Sequence, residues 1–242
     1  MATPVPPPLD SSLLLHDLVN FHMQNNPTFP MYVYAEDHGT TEISLLEFGR
    51  AAHRIAHVLR PGRKGDGRQV VMIIANCDTI LYQAIHVALC VAGLTVSGSS
   101  RCPEKKKRSF IAYQPFPVSP RNSAPAVVDM MKKTNCSRIV TLRHAHQSLI
   151  DEIQSTVSDC ELIVDEIPTL SYAFPKLGKE VESDPFVPYP PATSRPDLNE
   201  PALYIHSSGS TGFPKPIPHS HRFQIQLLTQ RKCMFFLHSG GH

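Results

Sequence analysis

A continuous apolar run from Val70 to Ala75 constrains the fold of this chain more than any other feature of its sequence. A strand without polar alternation must be covered on both faces, which is typical of the interior of a parallel sheet. Asp78 can cap the helix that follows, and this helix should run to Ala92 and stop at Gly93. The pattern predicts a strand–helix unit of an α/β protein.

The same alternation continues further along the chain. Two more units follow, helix Ser123–Thr134 with strand Arg138–Thr141 and helix Gln147–Val157 with strand Leu162–Val164. Strands that alternate with helices pair in parallel, because each helix carries the chain back to the same end of the sheet. We therefore expect a mostly parallel sheet flanked by helices.

The N-terminal part predicts a helix, a strand and a second helix. Asp10–Ser12 offers capping side chains for the first helix, and Met31–Ala35 is apolar enough for a strand. Ser44 and Glu47 have the spacing of a capping box, in which the serine accepts from the N–H of Glu47 and the glutamate reaches back. Apolar residues at helical spacing then continue to Leu59.

Composition narrows the class of protein. A hydrophobic content of 41% suffices for a packed core, and a net charge of +2 gives no reason to expect a nucleic-acid surface. The six cysteines contain no Cys-x-x-Cys pair, so neither a zinc site nor a disulfide framework is indicated. The longest apolar run, Ala84–Leu94, is too short to cross a bilayer, and no secretion signal opens the chain. We expect a cytoplasmic protein without a membrane partner.

Two stretches interrupt the regular pattern. Many of the 23 prolines fall within residues 168–201, which predicts a long Pro-rich connection. Val96–Gln114 is polar and basic, and joining Thr95 to Pro115 would restore the strand–helix rhythm. Because Val-Ser at its start and Tyr-Gln at its end can be encoded by intron boundary sequences, our hypothesis is that 96–114 is an insert derived from a retained intron.

A hydroxyl-rich and glycine-rich loop closed by a lysine follows the strand predicted at Ala202–His206. Small hydroxyl side chains and backbone N–H groups can surround anionic oxygens, and glycine allows the backbone to approach a phosphate closely. The lysine adds a positive charge. The candidate phosphate-binding residues are Ser207, Ser208, Gly209, Ser210, Thr211, Gly212 and Lys215.

This loop resembles the phosphate-binding signature of the adenylate-forming superfamily, which contains acyl-CoA synthetases, luciferases and the adenylation domains of peptide synthetases and carboxylate reductases. All positions from Tyr204 to Lys215 fit it. A Walker loop would end in Gly-Lys-Ser/Thr, whereas Pro214 precedes the lysine and Pro216 follows it, which argues against a kinase or GTPase. A plain Ser/Gly turn between two elements is the structural alternative.

The residues after the loop narrow the resemblance. Most members carry glycine where this chain has Pro216, and the run Lys-Pro-Ile-Pro-His-Ser-His is similar to aminoadipate-reductase-like and peptide-synthetase-like enzymes. His221 falls where the family usually has the histidine that opens the next helix, and His206 directly precedes the loop. Both are possible neighbours of the site. A metal bound by His219 and His221 is disfavoured, since no carboxylate or cysteine lies at ligand spacing.

The resemblance implies an activity. Full-length relatives condense a carboxylic acid with ATP, using Mg²⁺, to an acyl-adenylate and pyrophosphate, and pass the acyl group to a thiol of coenzyme A or of phosphopantetheine on a carrier domain. The family's adenine-binding segment and its small C-terminal domain have no counterpart before His242. We expect 1–242 to be a partial adenylation domain, the N-terminal part of the large domain with an incomplete sheet. The alternative is a non-catalytic truncated fragment.

Overall fold

The computed structural model describes residues 3–8, 12–36, 39–64, 70–93, 114–157, 161–192, 195–207 and 213–227. Its strands are β1 (Pro30–Glu36), β2 (Gly39–Ser44), β3 (Val70–Ile74), β4 (Gln114–Pro117), β5 (Arg138–Thr141), β6 (Ile163–Glu166), β7 (Pro201–Ser207) and β8 (Lys215–Ser220). Its helices are α1 (Leu15–Asn25), α2 (Leu45–Leu59), α3 (Thr79–Ala92), α4 (Ala124–Thr134), α5 (Arg143–Thr156), α6 (Leu170–Ala173) and α7 over 221–227, with a short 3-10 turn at Pro61–Arg63.

Four parallel strands in the order β4-β3-β5-β6 form the central sheet. All of β3 is buried, and its side chains alternate between two cores. Val71 and Ile73 pack with α2 and α3 on one face, whereas Met72 and Ile74 pack with α4 and α5 on the other. The prediction of an α/β fold with a helix-flanked, parallel sheet is confirmed.

The start of α1 differs from the prediction. Asp10 and Ser11 lie outside the described residues, and the helix begins only after Leu14. The Leu14 N–H donates to Asp17 Oδ2 at 2.9 Å, and the Leu14 side chain is buried. Burial of this leucine and the acidic residue in the first turn fix the start of the helix.

Only half of the capping box predicted at α2 is formed. Ser44 Oγ accepts from the Glu47 N–H at 3.1 Å, as expected. The Glu47 carboxylate does not reach back, because both of its oxygens accept from the Gly178 N–H at 2.9 Å. Gly178, which is far along the chain, therefore replaces the Ser44 N–H group as the partner of the Glu47 carboxylate.

Residues 174–190, called the strap below, pass over α2 and are anchored to its arginines. Arg50 donates to Glu180 Oε1 at 3.1 Å and to the carbonyl oxygens of Val181 and Glu182 at 2.9 Å. Arg54 donates to the two Glu180 oxygens at 3.0 and 2.5 Å. The Glu180 side chain is only 1% exposed, so both cations compensate a buried negative charge.

The far end of the strap is anchored through a histidine and a tyrosine. His53 Nδ1 accepts from the Tyr189 N–H at 2.9 Å, so His53 Nε2 carries the proton and donates to Asn20 Oδ1 at 2.8 Å. The Tyr189 hydroxyl donates to the Arg60 carbonyl at 2.7 Å. The Pro-rich connection predicted over 168–201 thus contains a segment held against α2 by specific hydrogen bonds.

Gln114 is the last residue of the predicted insert 96–114, which stays a prediction. It is the first residue of β4 and lies opposite Val70 in the parallel register of the central sheet. The remaining part of the predicted insert, 96–113, lies outside the described residues and stays a prediction.

Candidate functional site

Ser207 and Lys215, the first and last candidate residues of the predicted phosphate loop, lie at one end of an antiparallel hairpin formed by β7 and β8; this end is called the tip below. Their register places Ser207 opposite Lys215 and Ile205 opposite Ile217. The first and last candidate residues of the loop therefore lie side by side. The other five candidates, Ser208, Gly209, Ser210, Thr211 and Gly212, lie outside the described residues.

Strand β8 was not predicted from the sequence, because it contains two prolines. Pro216 lies opposite His206 and Pro218 lies opposite Tyr204. A proline has no N–H to donate, so a strand tolerates prolines at alternate positions that face away from its partner strand. Among the described strands β8 pairs only with β7, as expected for an edge.

The two faces of the hairpin have different environments. Tyr204 packs against the core formed with α4 and α5, and His206 shares its face because strand side chains alternate. Ser207 and Lys215 lie on the opposite face with Ile205 and Ile217, which are 37% and 39% exposed. Lys215 is itself exposed and forms no salt bridge with another described residue. Its ammonium group is accessible to an anion from solution.

His221 begins helix α7, as the resemblance implied, and lies at the opposite end of β8 from Lys215. Its ring is buried, and burial, followed by the nearby His16 and Arg195, lowers the pKa of His221 to about 4. The ring is therefore neutral near pH 7. At the rise of a strand it lies about 20 Å from the lysine. The two histidines predicted to lie near the phosphate loop thus differ in their distance from it. His206 adjoins Ser207, whereas His221 is at the base of the hairpin.

The base of the hairpin is closed by hydrogen bonds that the sequence did not predict. The backbone N–H groups of His221 and Arg222 donate to the carbonyl oxygens of Glu200 and Leu198 at 3.1 and 2.8 Å. Arg222 Nε donates to Asn199 Oδ1 at 3.1 Å. No sequence spacing or composition marks Asn199 and Arg222 as partners, because the two residues meet only when the hairpin forms.

The tip of the hairpin brings a cation and a hydroxyl group together. Lys215 supplies a charged donor, Ser207 a hydroxyl group, and a short glycine-rich loop connects them. Among the described residues no group of three or more His, Cys, Asp or Glu side chains could hold a metal ion. Within the same residues, no helix is long and apolar enough to span a membrane.

Comparison with known proteins defines the class. Residues 110–239, more than half of the chain, match the family described as AMP-binding enzyme. The chain belongs to this family.

Its relatives include much longer proteins. The adenylate-forming reductase Nps9 of Serpula lacrymans is 44% identical over 233 residues, which are 96% of this chain and 19% of that protein. Nps11 of the same fungus is 42% identical over 90% of this chain and 18% of its own length. The chain therefore spans about a fifth of the length of these relatives.

Solved structures support the fold. The AMPPNP-bound form of the nonribosomal peptide synthetase FmoA3 aligns with a TM-score of 0.59 and 16% identity, over 96% of this chain and 20% of that one. The adenylation domain of a carboxylate reductase from Mycobacterium chelonae aligns with a TM-score of 0.54 and 13% identity, over 90% of this chain and 36% of that domain's chain. The likeness identifies the architecture as part of an adenylation domain.

Proposed function

We propose that this chain carries the ATP phosphate-binding hairpin of an enzyme that activates a carboxylic acid as an acyl-adenylate. The observation that supports this most is the register that sets Ser207 opposite Lys215 at the tip of the β7–β8 hairpin, in a member of the AMP-binding enzyme family. An exposed lysine beside a hydroxyl-rich loop is suited to the β- and γ-phosphates.

In the proposed reaction a carboxylate oxygen of the acid attacks the α-phosphorus of ATP. A new oxygen–phosphorus bond forms, and the bond from the α-phosphorus to the bridging oxygen of pyrophosphate breaks. Negative charge then builds on the leaving pyrophosphate, so donors placed there stabilise the transition state. The proposed donors are Ser207, Ser208, Ser210, Thr211 and Lys215, with Gly209 and Gly212 allowing close approach.

Proline residues on both sides of Lys215 support the same role. Pro214 and Pro216 fix their own φ angles, and a residue that precedes proline is held in the extended region. The backbone at Lys215 is thus restricted before ATP binds, which lowers the entropy cost of ordering the loop.

The family uses Mg²⁺ with ATP to neutralise phosphate charge. A later transfer of the acyl group to a thiol of coenzyme A or of phosphopantetheine on a carrier domain would require segments beyond this chain. The names of the relatives, an adenylate-forming reductase and a peptide synthetase, are compatible with a carrier-bound thiol.

The short coverage of the relatives favours a second candidate, a non-catalytic fragment of such an enzyme. A phosphate loop supplies only part of a nucleotide site, so we expect the 242-residue chain alone to bind MgATP weakly and to form no acyl-adenylate. Isothermal titration of the monodisperse chain with MgATP checks this. Micromolar binding of MgATP together with carboxylate-dependent pyrophosphate release would refute this second candidate, the non-catalytic fragment.

The test of the main proposal is a chimera in which this chain replaces the matching segment of Serpula lacrymans Nps9. Exchange of labelled pyrophosphate into ATP is measured with a panel of aromatic and aliphatic acids, beside the unmodified reductase. We expect acid-dependent exchange. A chimera that keeps the melting temperature of the reductase but exchanges no pyrophosphate with any acid that the reductase accepts would overturn the proposal.

A further inference from the structure

The end of the hairpin remote from the phosphate loop carries a side-chain contact that the proposed reaction does not use. We infer that Asn199 and Arg222, called the register clamp below, are positioning residues that keep Lys215 opposite Ser207. The structural part of this inference concerns the hairpin alone, and its consequence for ATP rests on the proposed function. Each part has its own measurement.

The hairpin packs on the rest of the described fold along one face, through Tyr204 and the neighbouring strand β4. Two-stranded ribbons are only marginally stable in water on their own, and among the described strands β8 pairs with β7 alone. The face that carries Ile205 and Ile217 is partly exposed, so packing there adds little. Polar contacts at the base therefore add to the backbone pairing and packing that hold the strands in place.

An irregularity in the pairing lies near the base of the hairpin. The register of β7 against β8 shifts between Pro201 and Leu203, as at a β-bulge. Strand side chains have a period of two, so a slip of one residue would move Lys215 to the face that carries His206. Contacts on the base side of the shift set where β8 starts relative to β7 and so contribute to the register.

The clamp has the geometry to do this. Asn199 donates through its backbone N–H and through Nδ2 to Asp197 Oδ1, at 2.9 and 3.2 Å. These two bonds turn Asn199 Oδ1 toward Arg222, whose Nε donates to it at 3.1 Å. The Arg222 backbone N–H independently donates to Leu198. Replacing the arginine side chain thus removes the clamp and leaves the backbone contact in place.

The structural part is tested by amide hydrogen exchange on the 242-residue chain without nucleotide. Arg222→Ala and Asn199→Ala should each speed exchange of the β7–β8 amides about 5–10-fold, as expected for loss of one charge-assisted hydrogen bond. The double variant should match the single ones, and Arg222→Lys, which can still donate to the amide oxygen, should restore most of the protection. Lys179→Ala, an exposed lysine on the strap, is the control. Unchanged exchange in both alanine variants would overturn the inference.

The functional part is tested in the Nps9 chimera. Arg222→Ala should raise the KM for ATP about 5–10-fold and leave the KM for the acid unchanged, because only the phosphate donors are misplaced. Arg222→Lys should recover the lower KM. Faster amide hydrogen exchange in the Arg222→Ala chain, together with an unchanged KM for ATP in the Arg222→Ala chimera, would refute the positioning role. If Lys215→Ala also left the KM for ATP unchanged, the phosphate role of the hairpin itself would fail.

Discussion

The Gly178 N–H donates to both carboxylate oxygens of Glu47 at 2.9 Å, and this contact ties the strap to the first turn of α2. Burial raises the pKa of Glu47, whereas the bond from Gly178 acts in the opposite direction. The Glu47 carboxylate is thus the hydrogen-bond partner of a backbone N–H group in the strap.

Gly178→Ala should destabilise the fold by about 2–4 kcal/mol, because strain and a steric clash add together. Gly178 has φ +80°, and an added Cβ would lie 2.7 Å from Thr41 Cγ2 and 3.1 Å from the Glu42 carbonyl oxygen. Gly62→Ala is the matched control, since it has φ +57° but its nearest neighbour is 3.8 Å away. Urea unfolding compares the two variants. Equal losses of unfolding free energy in the two variants would show that the steric clash at position 178 contributes nothing.

Glu180→Gln should cost about 3 kcal/mol of unfolding free energy, because it leaves Arg50 and Arg54 without their buried counter-charge. Lys133→Ala, which removes the exposed pair with Asp129, should cost less than about 0.5 kcal/mol. Chemical denaturation at constant pH measures both. A loss for Glu180→Gln as small as that for Lys133→Ala would mean that the strap is not held by this charge cluster.

His53→Gln should reduce the acid sensitivity of the fold. Burial, and then the nearby His57 and Arg63, lowers the pKa of His53 from 6.5 to about 4. The unfolded chain therefore takes up this proton first, and stability falls as the pH drops from 6.5 to 4, by on the order of 3 kcal/mol for this histidine. Glutamine can keep both hydrogen bonds without titrating.

Unfolding free energies at pH 7 and pH 4.5 test this prediction. His86 and His221 also have pKa values lowered to about 4 and remain in the variant, so part of the pH dependence should persist. An unchanged difference between the two pH values would exclude His53 as a contributor.

Lys215→Ala should lower acid-dependent pyrophosphate exchange of the Nps9 chimera about 10–100-fold, through loss of charge-assisted phosphate contacts worth about 1.5–3 kcal/mol. Lys215→Arg should retain part of the rate, because it keeps the charge but changes the donor geometry. Ile217→Val, on the same face of β8, is the control for disturbance of the hairpin. Full activity in the alanine variant would remove Lys215 from the site.

Local signals located most elements of the fold. The Asp78 side chain accepts from the Ile80 N–H at 2.9 Å and α3 ends before Gly93, because capping involves neighbours in sequence. Strand β5 occupies the predicted residues Arg138–Thr141. Helix α5 begins at Arg143 rather than Gln147, and His146 within it has non-helical angles, which interrupts the helical pattern at the point where the prediction began.

The sequence by itself determined the parallel α/β core, since a wholly apolar strand can lie only between two layers. By resemblance it also identified the family, and it predicts the phosphate loop. The tertiary structure alone decided that Glu47 binds Gly178, that Glu180 lies between two arginines, and that Asn199 meets Arg222 at the base of the hairpin. Local patterns reflect energies between residues close in the chain, whereas these contacts join segments that only folding brings together.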